Sequence, residues 1–331
     1  MSWPRMAGCA LWFAVVSLFV LFARPVGLAA QSACKMTAEV ANLTSSDNST
    51  ELRRWLSEKK DPDYCDARGR SLLWIATWRS QQKNVELLLQ WKANVNIEDI
   101  NGATALHVAA EKGNVPILNL LIKAKADVNR PDARGRTPLS QSIVSQQRSV
   151  TIRLLQAGAR ADTVLHNGWD LLMIAALQGR DDLIADLLKA GAPRDGVNEY
   201  AENALEIAIK SAHLKVVQAF LKHGWDVNRV NPMRNKRTPL MLAAESGQAA
   251  MVRLLAQGGA RLEERDALGC TALFLAVQAG HFEATHALLG LQADPNAMDS
   301  GKLRPLQVAM QPENAGTHTS IIKLLKENGA R

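Results

Sequence analysis

Asp99–Asn129 reads DINGATALHVAAEKGNVPILNLLIKAKADVN. A turn, Asp99-Ile100-Asn101-Gly102, precedes a short helical segment from Thr104. Gly113-Asn114 breaks it, a second apolar helix ends in Leu120-Leu121-Ile122, and a polar return follows at Asp127-Val128-Asn129. Helices this short are unstable alone and cannot bury their apolar faces against one another, so the unit must stack on copies of itself.

The copies are present. Leu73, Leu106, Leu139, Leu172, Leu205, Leu240, Leu273 and Leu306 recur at steps of 33 residues, except for one step of 35. A small residue stands three places after each: alanine everywhere but Ser142. Leucine and the small residue share one helical face, where the small side chain lets neighbouring units approach closely. Second helices are expected around Leu87–Leu89, Leu120–Ile122, Leu154-Leu155, Leu187-Leu188, Phe220-Leu221, Leu254-Leu255 and Leu324-Leu325.

The motif that carries this period is a turn, a Thr-Pro-Leu-His-x-Ala-Ala start, a glycine break, Val-x-x-Leu-Leu and Gly-Ala-x-x-Asn. It is fullest at Gly102-x-Thr104-Ala105-Leu106-His107-x-Ala109-Ala110, and returns at Thr137-Pro138-Leu139, Thr238-Pro239-Leu240 and Thr271-Ala272-Leu273. It resembles the ankyrin repeat family from about residue 34 to the end. The resemblance implies an all-α solenoid of stacked helix-turn-helix units with extended turn fingers, forming one elongated domain.

Repeats are placed at 66–98, 99–131, 132–163, 164–196, 197–229, 230–265, 266–298 and 299–331, the last as a carboxy-terminal cap. An amino-terminal capping repeat is placed at 33–65, with a loose connection at 44–50. Thr can cap the first helix while Pro takes its first turn, where a missing N–H costs nothing. Gly158, Gly191, Gly224, Gly259 and Gly329 supply the left-handed residue that ends the second helix. Lys92, Lys125 and Gln292 hold that place elsewhere, so those caps are expected to be weaker. Repeat five replaces the Thr-Pro start with Asn203-Ala204, and repeat six gains two residues within Asn231–Lys236, which predicts a longer turn.

The 331 residues are 47% hydrophobic but only 5% aromatic, which suits small helices packed closely. The net charge of +7 is a mild excess over a long surface. Without a basic stripe, stacking aromatics or a groove-reading motif, nucleic-acid binding is not expected. Residues 1–30 have the pattern of a secretory signal, with Arg5, an apolar run from Ala7 to Ala23 and small residues at Ala29-Ala30. Removing Arg5 and Arg24 with it leaves 37 basic and 32 acidic side chains, a net of +5. The chain is therefore expected to be secreted or periplasmic, with an uncleaved membrane anchor as the alternative. In that oxidising setting Cys34 and Cys65, which flank the first helical unit, are a candidate disulfide. Cys270 is left odd.

No metalloprotease, Cys-x-x-Cys, phosphate-loop or nucleophile-elbow motif is present, so neither catalysis, cofactor nor metal is expected. His107, His213 and His281 fall at places where the family uses histidine structurally. Trp55, Trp74, Trp91 and Trp225 are assigned to packing. What remains is surface: the resemblance implies a concave face of finger tips and first helices that binds one or more proteins, the chain itself being a monomer. Arg68, Arg70, Trp78 and Arg79 form one candidate patch, and His166, Trp169, Leu177 and Tyr200 another. Arg134 and Arg136 sit at the tip between them. A secreted scaffold is the first expectation; an exported effector or toxin-neutralising binder is the alternative.

Overall fold

The computed structural model describes residues 43–44, 49–58, 60–165, 167–311, 314 and 318–331. The signal segment, the start of the capping repeat to residue 42, Cys34 and His166 lie outside them. The described residues hold helices and no strands beyond isolated bridges, so the chain is all-α as its period predicts. No described helix is long and apolar enough to cross a membrane. Contacts divide the chain into two compact units, residues 1–105 with 131–134, and residues 106–130 with 135–331.

The first unit contains α1 (Ser49–Ser57), α2 (Leu72–Trp78) and α3 (Gln82–Gln90). Leu52 and Leu56 of α1 lie one turn apart and are fully buried, as is the leucine face of α3 that α1 packs against. Each such side chain removed from water contributes on the order of 2 kcal/mol. Ser71 caps α2 by accepting the Trp74 amide at 3.1 Å. Of the connection placed at 44–50, residues 45–48 lie outside the described residues; Thr44 is buried, and its carbonyl accepts from the Arg79 guanidinium and from Gln81 Nε2 at 2.7 Å. α1 already starts at Ser49. Trp91 corrects an expectation, being 40% exposed rather than packed; it is the residue that closes α3.

The second unit continues with α4 (Ala105–Lys112, of which Ala105 belongs to the first), α5 (Val115–Lys123), α6 (Pro138–Val144), α7 (Arg148–Gln156), α8 (Leu171–Leu177) and α9 (Asp181–Lys189). After them come α10 (Ala204–Lys210), α11 (Leu214–Lys222), α12 (Pro239–Glu245), α13 (Ala249–Gln257), α14 (Ala272–Gln278), α15 (Phe282–Gly290), α16 (Pro305–Ala309) and α17 (Thr319–Glu327). First helices stack on first helices, as α8 on α10 and α12 on α14, and second on second, as α9 on α11 and α13 on α15. The small residues Ala175, Ala208, Ala243 and Ala276 are fully buried where the first helices meet.

The first helices start as the sequence predicts, Thr137, Thr238 and Thr271 each accepting the amide three residues on. Asp170 and Asn203 do the same in repeats four and five. Lys92, Lys125 and Gln292 adopt positive φ of 59°, 65° and 69° at the positions glycine fills elsewhere. In several repeats the residue before the second helix reaches back one repeat. Gln248 Nε2 donates to the Ile209 carbonyl at 2.9 Å, and the Nε2 atoms of His213 and His318 lie 3.0 and 2.8 Å from the carbonyls of Leu177 and Val277. A carbonyl only accepts, so those imidazoles carry a proton on Nε2. They tie the end of one first helix to the start of the next repeat's second helix.

Candidate binding surface

Several fingers hang from one side chain each. The carboxylate of Asp66 accepts the amides of Arg68 and Arg70, and Asp99, Asn198 and Asp266 close their fingers by the same pair of bonds at 2.8–3.0 Å. Repeat four has Leu165 there and lacks that support; Asn167 approaches the Trp169 amide at 3.4 Å instead. Within the second unit neighbouring fingers join through backbone, Ala267 donating to Asn235 at 2.7 Å and Ser300 to Leu268 at 2.9 Å. Tips therefore stand side by side at one per repeat.

From each finger, residues four and eight places on continue along the same face of the first helix. In repeat four this row is Trp169, Met173 and Leu177; in repeat five, Glu202, Glu206 and Lys210; in repeat six, Arg237, Met241 and Glu245. Met173 and Met241 are buried, while Leu177 is 39% exposed and Trp169 half-buried. Tyr200, on the next finger, is 57% exposed. The repeat-four row is thus apolar and partly open, and the next one is charged.

The charged row forms a network that inspection of the sequence missed. Glu202 is held by Lys210 and by Arg234 at 2.7 Å, and Asn198 Nδ2 donates to it at 3.2 Å. Burial pushes its carboxyl up, but these partners outweigh burial and hold it below the usual range. Glu206, one turn along, is buried and accepts from Asn231 Nδ2 at 2.9 Å; burial keeps its carboxyl raised. Arg237 pairs with Glu245 and lies 3.7 Å from the buried Asp266 carboxylate. The Glu202–Glu206–Lys210 spacing is visible in the sequence. Arg234, 32 residues from Glu202, joins it only through the stacking of fingers.

In the first unit Arg70 is bonded to Asp66 at 2.6 Å and lies over the Trp74 ring at 5.4 Å, and Trp74 stacks on Trp78 at 5.6 Å. Arg70 and Trp78 are thereby joined into one ladder, with Trp78 41% exposed. Arg79 turns away to clamp Thr44. Arg68 is exposed and its carbonyl accepts the Ile100 amide, while Arg134 is exposed at its own tip. In the second unit Arg136 is half-buried and its carbonyl lies 3.0 Å from His107 Nε2. Cys65 is disulfide-bonded and Cys270 is free and buried. Among the described residues no group of three or more His, Cys, Asp or Glu is placed to hold a metal ion.

The family described as Ankyrin repeats (3 copies) matches residues 92–164, 139–231 and 220–299, together more than half of the chain. An ankyrin repeat and KH domain-containing protein, mask-1 of Caenorhabditis elegans, is 33% identical over 34% of the chain and 4% of its own length. A transient receptor potential cation channel subfamily A member 1 homolog of the same organism is 36% identical over 32% of the chain and 9% of its own length. The chain thus spans a small fraction of these relatives. Among solved structures, the ankyrin repeat domain of Bcl-3, described as a unique member of the IkappaB protein family, is similar with a TM-score of 0.60 and 26% identity. That match covers 68% of this chain and 99% of the other.

Proposed function

The chain belongs to the ankyrin-repeat family, and from that premise we propose that it is a non-catalytic scaffold outside the cytosol that binds a partner protein through finger tips and first helices. Ankyrin repeats are generally protein-protein interaction modules. The observation that carries the proposal is the open apolar row of repeat four, with Trp169 half-buried and Leu177 exposed along it and Tyr200 exposed on the next finger. Aromatic anchors of this kind carry a disproportionate share of interface energy. Location outside the cytosol rests on the composition of residues 1–30 and on the disulfide at Cys65.

Affinity capture from the extracytosolic fraction of the source cells tests this, with the intact protein compared against Trp169→Ala and Tyr200→Ala. Loss of one specific prey by either variant is the expected result. Absence of any specific prey, or a prey indifferent to both substitutions, counts against binding through this face.

A further inference from the structure

Repeat six departs most from the period, and its departure puts a basic run at an exposed tip. The finger closes with Asn231 donating to the Arg237 carbonyl, two residues later than the equivalent bond from Asn198 to Glu202. The lengthened turn holds Arg234-Asn235-Lys236-Arg237, the one place in the sequence where three of four consecutive residues are basic. Pro232, Met233, Asn235 and Lys236 are exposed, and no residue from Pro232 to Arg237 is buried.

The charges of this run are matched in the fold, Arg234 by Glu202 at 2.7 Å and Arg237 by Glu245 and, at 3.7 Å, by Asp266. The run therefore does not make the surface basic; what sets it apart is its backbone. On other tips the arginine amides are pinned, those of Arg68 and Arg70 to Asp66 and that of Arg134 to Asp132. Asn231 accepts the Met233 amide at 3.0 Å, and the amides of Arg234 and Arg237 go to carbonyls within the turn. Those of Asn235 and Lys236 donate to nothing among the described residues. The same two residues have φ of 53° and 57° and are the only adjacent pair of left-handed non-glycine residues among those described. That conformation is disfavoured for any residue with a Cβ, and the strain is released when the turn opens.

An endoprotease reads its substrate as extended chain, so a turn must open before it is cut, and the rate of cutting follows the population of the open form. A lysine or arginine on a helix is reached only by unwinding that helix and uncovering its buried leucines. The repeat-six finger opens by giving up the pair of Arg234 with Glu202 and a few backbone bonds that water replaces, among them Ala267 to Asn235, while the core stays closed. Exposed loop tips are where proteolytic nicking concentrates.

We propose that the repeat-six finger is a processing site, at which a trypsin-like endoprotease cuts the native chain on the carboxyl side of Lys236. Water adds across the Lys236–Arg237 peptide bond. Its oxygen joins the Lys236 carbonyl carbon, the carbon–nitrogen bond breaks, and the Arg237 nitrogen takes the proton, leaving a carboxylate and an ammonium. Repeats contact only their neighbours, and across the cut α10 packs on α12 and α11 on α13, so the two pieces stay together. Arg234, still paired with Glu202, is then severed from α12, and the docking of residues 237–331 on repeat five becomes a reversible association. None of this depends on the scaffold role or on the surface of repeat four.

Brief digestion of the intact full chain with trypsin, read by mass spectrometry of the whole products, is the test. Among the Lys and Arg of residues 60–331, Lys236 should be the first cut. The two products should co-elute on a native sizing column and melt together at a lower temperature than the uncut chain. Lys236→Gln should slow this cut at least about tenfold, since a pocket built for a cation rejects a neutral amide. Lys236 is exposed, so the uncut variant should keep the melting temperature of the intact protein, which separates a lost cleavage site from altered folding. A first cut at any other Lys or Arg of residues 60–331, cutting only at temperatures that unfold the whole chain, or a nicked protein that melts with the intact one overturns the proposal.

Discussion

Asn228 clamps the return of its own repeat to the next one, its Nδ2 donating to the Gly259 carbonyl at 3.1 Å while its Oδ1 accepts the Arg261 amide at 2.9 Å. Asn129 with Gly158 and Arg160, and Asn296 with Gly329 and Arg331, repeat both bonds. Replacing Asn228 by Ala leaves a backbone carbonyl and an amide without their protein partner. Because the bonds are exposed and water can substitute, the expected cost is about 1 kcal/mol rather than the larger penalty of a buried loss. Urea unfolding should show a lower midpoint with an unchanged slope.

These asparagines explain how much of the fold was legible. The 33-residue step and the leucine–alanine spacing decide which face of each helix is buried, because that choice is made within one repeat. The asparagines at Asn129, Asn228 and Asn296 keep the same place in their repeats, but their bonds run to residues of the next repeat, and nothing local says so. Trp91 differs from its sequence expectation for a related reason: it borders a leucine run, yet it stands where the helix ends and is 40% exposed. The two extra residues of repeat six announced a longer finger. The network of Glu202, Arg234 and Lys210 that the finger creates depends on which tips stack, and that is set by the fold.

Asp170 caps α8 where other repeats use threonine, accepting the Met173 amide at 2.8 Å. Burial pushes its carboxyl up to about 6, against the amides of Met173 and Leu172, which favour the ionised form. The folded state therefore holds this proton more tightly than the unfolded chain. Its contribution is most favourable below the unfolded value of 3.8 and is lost as pH rises through about 6, so ionised Asp170 costs roughly 3 kcal/mol at neutral pH. Asp170→Ser keeps a capping oxygen without a charge. Relative to the intact protein it should gain stability progressively between about pH 4 and about pH 6 and hold the gain above that. Urea titrations at a series of pH values check this; a difference curve flat across that window would contradict it.

Gly196 is the reason the carboxylate fits, since a Cβ there would lie 2.2 Å from Asp170 Oδ2. Gly196→Ala should destabilise the intact protein and cost less in an Asp170→Ala background, where the oxygen is gone. A double-mutant cycle measured by unfolding reads the coupling, expected in the range of about 0.5–3 kcal/mol for groups in contact.

The Cys270 thiol is 5% exposed, and burial raises it to about 11, with the carboxylates of Asp266 and Asp299 adding to the shift. The thiolate is the reactive form. Iodoacetamide at neutral pH should leave Cys270 unmodified in the folded protein and alkylate it in denaturant, as read by peptide mass spectrometry. Labelling without denaturant would mean that repeat seven opens locally.

Gly269 and Gly259 separate two costs that usually arrive together. Both have positive φ, 78° and 89°. A Cβ at Gly259 meets nothing within 4 Å, whereas one at Gly269 would lie 2.7 Å from the Ser300 amide nitrogen on the next finger. Gly259→Ala should therefore show only the left-handed backbone penalty of about 1–2 kcal/mol. Gly269→Ala carries that penalty and must also push two fingers apart, straining the Ser300 to Leu268 bond at 2.9 Å that joins them. It should unfold at a clearly lower temperature than Gly259→Ala. Its amides around Ser300 should also exchange faster while those around Gly259 do not, because the second cost falls on the contact between fingers and the first stays within one turn.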